Sequence, residues 1–234
     1  MKTNTFVRSA DVNSTVDNPV PNAGTVLTVL VNNAMAKENR SFWVLYGRHT
    51  EPTYLEDAGD GQSMQRYHAL SFVKKWRVCL DIGSNIGQWT RPLAKKFKHV
   101  VCFEPNPNFR ECFNKNIDEQ NVTLYPYGLS DREHTASQQF NSTVIDDEPG
   151  DIKMKTLDSY NFTKVDLVKI DVDGYEVPLL NGARETLTKN TPVINIEMKR
   201  RKRPHIVEKC EKILWELGYH KDSRVRSDEI WIRS

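Results

Sequence analysis

From Arg77 onward the chain alternates short, almost wholly apolar runs with amphipathic ones. No other feature limits the fold as much. "RVCLDIG", "HVVCFEP", "VTLYPYGLS", "VDLVKIDV" and "PVINIEM" read as strands. Between them, "QWTRPLAKKF" places Trp89, Leu93, Ala94 and Phe97 on one helical face, and "NPNFRECFNKNIDEQ" does the same with Phe109, Cys112, Phe113 and Ile117. "EVPLLNGARETLTKN" reads as one helix, with Pro178 tolerated in its first turn. "HIVEKCEKILWELGY" carries Ile206, Val207, Cys210, Ile213, Leu214 and Leu217 on one stripe and stops at Gly218. "DEIWIRS" closes the chain as a strand. Near-continuously apolar strands separated by helices imply a parallel sheet covered on both faces. Right-handed crossovers then make it a doubly wound α/β domain.

The N-terminal part reads differently. Residues 1 to about 62 form an extension or cap, and the main domain runs over 63–234. The cap begins with an irregular stretch rich in Asn, Thr, Ser and Pro. Within it, Thr25 to Val31 and Ser41 to Gly47 read as short strands, followed by a loop "LEDAGDGQ"; a helix from Ser63 to Trp76 then leads into the main domain's first strand. No run is long and apolar enough for a membrane span, and the first residues lack the apolar core of a secretory signal. The four cysteines, Cys79, Cys102, Cys112 and Cys210, are widely spaced and fall in apolar patterns. They read as reduced core residues of a cytoplasmic protein. A net charge of +2 supplies no compositional argument for a nucleic-acid or membrane-surface protein.

Ligands of doubly wound sheets bind outside the carboxyl ends of the strands, so the residues that follow each strand are the ones to read. After the first come Asp81, Gly83, Ser84, Asn85 and Gly87. A dinucleotide site wants G-x-G-x-x-G, but Asn85 and Gln88 stand at its second and third glycine positions. No G-x-x-x-x-G-K-[ST] loop is present either. Asp81, just before the turn, would repel a phosphate but not a cation. S-adenosyl-L-methionine, a sulfonium with no phosphate, fits those conditions. After the second strand, Glu104, followed by Pro105 and Asn106, is placed to accept two ribose hydroxyls. After the third, Asp131 can accept the adenine amino group, with Leu129 against the ring and Ser130 offering backbone. After the fourth, "KIDVDGYE" gathers Asp171, Asp173 and Glu176 around Gly174, and the fifth adds Glu197 and Lys199. Buried acids need partners or a task, and Asp171 is the first choice for one that reaches both cofactor and acceptor. A short strand near Gln138 to Phe140 interrupts an otherwise irregular connection. "KRRKR", Lys199 to Arg203, is the one dense basic run, read as a solvated loop or, more sharply, as a rim for an anionic substrate.

With these pieces placed, the sequence resembles the FkbM family of S-adenosylmethionine-dependent methyltransferases. The resemblance rests on "LDIGSNIGQW", "FEPNP", "GLSD", "KTLDSY", "VDLVKIDVDGYE", "LLNGA" and "NIE", in order over about residues 76 to 198. The family usually has Glu where this chain has Asp173, and often Ala where it has Ser84. It implies a Rossmann-like, seven-stranded, mostly parallel sheet with helices on both faces. The final antiparallel hairpin would come from "YHKDSRVRSDEIWIRS". It also implies O-methylation, often of a sugar or similar hydroxyl. The acceptor hydroxyl must lose a proton, for which Asp171 is the first candidate base and Glu176 and Glu197 the weaker ones. A divalent metal held by these acids is an alternative, but no ligand constellation demands one. The rival readings are a nucleic-acid methyltransferase, a cofactor-binding module without activity and, more distantly, a nicotinamide enzyme. No [D/N]-P-P-[Y/F] motif follows the fourth strand, which argues against methylation of base amino groups.

Overall fold

The structure is a computed structural model that describes residues 62–137 and 150–233 throughout, together with the backbone of four outlying strand segments and of Gln138. Three of these segments, β1 (Phe6–Arg8), β2 (Val26–Asn33) and β3 (Glu38–Leu45), form a small sheet in the order β1-β2-β3. The two strands expected in the N-terminal part are thus present, each shifted by a few residues. The loop expected at "LEDAGDGQ" lies, apart from Gln62, outside the described residues, as does Phe140.

The main body runs α1 (Ser63–Ser71), β4 (Val78–Ile82), α2 (Thr90–Ala94), β5 (His99–Phe103), α3 (Pro107–Asn116) and β6 (Val122–Tyr125). A small inserted sheet follows, made of β7 (Gly128–Leu129), β8 (His134–Gln138), β9 (Val144–Ile145) and β10 (Ile152–Lys155). After a 3₁₀ turn at Asp158–Tyr160 come β11 (Val165–Ile170), α4 (Glu176–Asn181), α5 (Arg184–Asn190), β12 (Val193–Glu197), α6 (Pro204–Glu216), β13 (His220–Val225) and β14 (Asp228–Ile232). The large sheet has seven strands in the order β13-β14-β12-β11-β4-β5-β6. Pairing is parallel from β12 to β6, and β14 and β13 add as an antiparallel hairpin. Strand order reverses between β4 and β11, which makes their carboxyl ends the switch point.

The apolar runs explain themselves, because the central strands β4, β5, β11 and β12 bury both faces. Leu80, Ile82, Val101, Phe103, Val168 and Ile170 pack under α4, α5 and α6. Cys79, Val100, Cys102 and Leu167 pack on the opposite face with Leu70, Trp89, Leu93, Phe97 and Phe113. All four cysteines are buried and free.

Three elements differ from the sequence reading. The helix expected from Ser63 to Trp76 ends at Ser71. The third strand is split: Val122–Tyr125 stays in the large sheet, Pro126 cannot donate to a ladder, and Gly128–Leu129 joins the small sheet beside β10. The helix expected over "EVPLLNGARETLTKN" breaks into α4 and α5 at Gly182 and Ala183. The break is tertiary in origin. A Cβ on Gly182 would lie 1.9 Å from the Ser130 carbonyl oxygen, so this corner closes directly on the loop after β7.

Gly182→Ala therefore forces backbone apart. It is expected to cost about 1–3 kcal/mol in urea unfolding, as overpacking does, while Asn181→Ala on the exposed side changes stability by less than about 0.5 kcal/mol.

Candidate functional site

A cleft of about 1040 Å³, counting its open mouth, lies at the carboxyl ends of β4, β5 and β11. Beneath its floor lies a buried ion pair, of which only Lys169 lines the cleft. Lys169 and Asp81 stand opposite each other across β11 and β4, on the face they share with Cys79 and Leu167. Their charged atoms are 3.3 Å apart, and their side chains are 5% and 0% exposed. Thr90 donates its hydroxyl to the other Asp81 oxygen at 2.7 Å. The Lys169 ammonium also donates to the Gly83 carbonyl at 2.7 Å. Burial pushes the Lys169 ammonium down, but the carboxylates of Asp81 and Asp171 outweigh it and hold the group above its usual range.

Asp81, expected beside the cofactor, is turned into the sheet by this pair. Its carboxylate is not among the groups lining the cleft, and its charge is balanced inside the sheet by Lys169 and Thr90. Gly83 is needed for close approach. It sits at φ +74°, and a Cβ there would lie 1.9 Å from the Asp171 carbonyl oxygen. The first turn and the Asp171 turn are therefore in backbone contact. Gly87 faces Ile117 and Phe113 instead of the cleft.

Ser84 and Asn85 line the cleft, and the Ser84 hydroxyl and Asn85 side-chain carbonyl are both buried without a hydrogen-bond partner. Glu104 and Pro105 line it too. The Glu104 carboxylate accepts the Asn85 N–H on one oxygen and the Asn106 N–H on the other, each at 2.9 Å. Burial pushes its pKa up to about 7 against those two donors. Asn106 itself caps α3, its side chain accepting from the N–H groups of Asn108 and Phe109. Leu129 forms the next wall with Tyr127 and Met154. Ser130 and Asp131 do not line the cleft. The Ser130 hydroxyl lies 3.2 Å from that of Tyr175, and the exposed Asp131 pairs with Arg132 at 3.1 Å.

At the far end Asp171, Asp173 and Glu197 come together, with carboxylate oxygens all within 4.8 Å of one another, a cluster that could hold a metal ion. A protein cation already sits among them: the Lys199 ammonium is 2.6 Å from Asp173 and 2.7 Å from Glu197. Burial, then the Asp171 carboxylate, push Glu197 above the usual carboxylate range, against the pull of Lys199. Glu176, the other expected acid, turns away. It accepts the Gly174 N–H at 2.9 Å and so braces the turn from behind, outside the cleft. Gly174, at φ +110°, has the Arg203 guanidinium lying over it, where a Cβ would meet Nη1 at 2.6 Å.

The basic run is thus mostly internal. Lys199 belongs to the acidic cluster, Arg200 pairs with Glu211 and with the buried Glu229, and Arg203 covers Gly174, while Arg201 and Lys202 are exposed. Sequence reasoning missed Lys169, Gln62, Tyr127, Met154 and Tyr175, which all line the cleft. Gln62 accepts a hydrogen bond from the Trp89 indole, so the residue before α1 closes one side. Lys169 had a signal: it is a lone cation in an apolar strand, and such a group requires an acid nearby.

Residues 81–221 match the methyltransferase FkbM domain. The chain belongs to the FkbM methyltransferase family. The hexuronic acid methyltransferase AglP of Haloferax volcanii is 32% identical over an alignment of 123 residues that covers 47% of this chain and 51% of that protein. The chain therefore spans about half the length of this curated relative. Among solved structures, methyltransferase FkbM from Methylobacillus flagellatus KT superposes with a TM-score of 0.51 at 14% identity, over 79% of this chain and 56% of that one. A candidate O-methyltransferase from Klebsiella pneumoniae gives 0.50 at 15% identity, over 74% and 80%. These likenesses establish the Rossmann-like methyltransferase fold. No helix among the described residues is long and apolar enough to cross a membrane.

Lys169→Met should leave Asp81 buried and unpaired. Loss of one partner of such a pair costs about 3–5 kcal/mol, readable in urea unfolding, and the double variant Lys169→Met/Asp81→Leu should recover most of it.

Proposed function

We propose that this protein transfers a methyl group from S-adenosyl-L-methionine to a hydroxyl of a sugar or glycan. The observation that carries the cofactor half is Glu104. It is buried in the cleft wall, yet two backbone donors occupy only half of its acceptor capacity. Two vicinal ribose hydroxyls would complete it. The orphaned Ser84 hydroxyl and Asn85 carbonyl suit the polar amino-acid end, and Leu129, Met154 and Tyr127 make an apolar slot for the base. Phosphate-bearing nucleotides fit less well, because Asn85 replaces the second glycine of a pyrophosphate-binding turn.

Bound there, the cofactor supplies an activated methyl group, so the protein's own work is positioning and proton removal. Asp171 and Glu197 face the acceptor end. Their carboxylate oxygens lie within 4.8 Å of each other, with the Lys199 ammonium 2.7 Å from Glu197. Asp171 is the proposed base for the acceptor hydroxyl, with Glu197 and Lys199 orienting it. The sugar half of the reading draws on the Haloferax volcanii relative, named for a hexuronic acid. A nucleic-acid acceptor has less support, since Lys199 and Arg200 of the basic run are engaged in internal ion pairs and Arg203 is folded over Gly174.

Calorimetry with S-adenosylhomocysteine tests the cofactor half. Glu104→Ala should weaken binding at least about tenfold, and an unchanged affinity would break the ribose assignment. The pH dependence has a definite sign. Without ligand, burial pushes the Glu104 pKa up to about 7, and ribose hydroxyls would favour the ionised form, so binding should release a proton. Affinity should rise about tenfold between about pH 6 and about pH 8 and then level, and Glu104→Gln should flatten the profile. Asp171→Ala should lose at least about a hundredfold in turnover while retaining cofactor affinity. Near-normal turnover would remove Asp171 from the mechanism.

A further inference from the structure

The acceptor end of the cleft has an unusual charge inventory. Its lining carries Asp171, Asp173 and Glu197 against Lys199, with Lys169 beneath. Both lysines already have carboxylate partners: Lys169 is paired with Asp81, and Lys199 bridges Asp173 and Glu197. Of the basic run, Arg200 pairs with Glu229, and Arg203 lies over Gly174 outside the cleft lining, its Nη1 buried without a hydrogen-bond partner. Among the described lining residues, no cation is left without an acid to pair with. What the cluster does offer is acceptor oxygens, and one more donor, since an ammonium has three N–H groups and two face Asp173 and Glu197.

From this arrangement we propose that the acceptor is an uncharged sugar recognised through neighbouring hydroxyls, and that the site discriminates against a sugar carboxylate. Asp173 is then a specificity-determining residue. The inference rests on the sugar reading above, and it separates this chain in acceptor charge from the Haloferax volcanii relative. The physical case is a comparison of two ligands. Vicinal hydroxyls donate to Asp171 or Asp173 and accept from Lys199, so every buried polar group gains a partner. A carboxylate in the same place meets two or three acids at short range and finds, among the described lining residues, only cations that already have acid partners, and an unpaired buried charge is among the most costly groups to desolvate. Asp173 matters because it holds the Lys199 ammonium from the side opposite Glu197. Taking away its charge would free Lys199 for a ligand carboxylate.

The test uses the full chain with S-adenosyl-L-methionine and matched pairs of methyl hexosides and methyl hexuronides in the gluco, galacto and manno series. Each pair is assayed for S-adenosylhomocysteine release and for binding to the S-adenosylhomocysteine-loaded protein, in EDTA and again with Mg²⁺. The neutral member of the productive pair should exceed its uronide at least about tenfold in kcat/KM, and Asp173→Asn should shrink that ratio by raising the uronide. A uronide that equals or exceeds its neutral partner, in either condition, overturns the inference and leaves the sugar reading standing. A ratio unchanged in Asp173→Asn overturns the role given to Asp173. Neither product nor binding with any pair overturns the inference together with the sugar reading on which it depends.

Discussion

The buried pair of Asp81 and Lys169 is the constraint around which the site is built. It lies on the two strands where the order of the sheet reverses, with neither charge open to solvent. A pair so placed adds little net stability compared with well-packed apolar residues, but once present it allows little movement, because separating the charges leaves each one buried alone. Lys169 extends the constraint by donating to the Gly83 carbonyl. Gly83 in turn leaves room for the Asp171 backbone. The turn assigned to the cofactor and the turn assigned to the acceptor are thereby fixed to each other through a few hydrogen bonds and one missing side chain.

The same economy of charge runs through the rest of the mouth. Glu104 is held by two N–H groups, Glu176 by one, and Asp173 and Glu197 by Lys199. Glu229, fully buried on β14, is met by Arg200, which reaches it from the basic run after β12. In a segment that looks in sequence like a solvated or ligand-seeking patch, Lys199 and Arg200 are counterions for acids of the fold.

The legibility of the sequence follows the range of the forces involved. The large sheet and its helices could be read because apolar strands and amphipathic stripes are local patterns, and the acids at the strand ends could be located from them. The division of α4 from α5 could not be read, since it depends on a Ser130 carbonyl some fifty residues away by chain, pressed against Gly182. The small sheet escaped notice because two of its strands are only two residues long, too short for any periodicity. Asp81 was located correctly but its direction was not, because its partner Lys169 lies on a later strand and sat within a run that otherwise reads as plain core. Glu176 was grouped with the site acids on proximity in sequence, whereas its carboxylate folds back on Gly174.

The central proposal is that this cleft holds S-adenosyl-L-methionine by its ribose on Glu104, with Asp81 serving the fold and not the ligand. A crystal structure of the protein with S-adenosylhomocysteine tests it most directly. The account predicts both ribose oxygens within hydrogen-bond reach of the Glu104 carboxylate, the thioether sulfur directed toward Asp171, and Asp81 still paired with Lys169 and Thr90. A ligand whose ammonium lies on Asp81, or whose ribose makes no contact with Glu104, would contradict it.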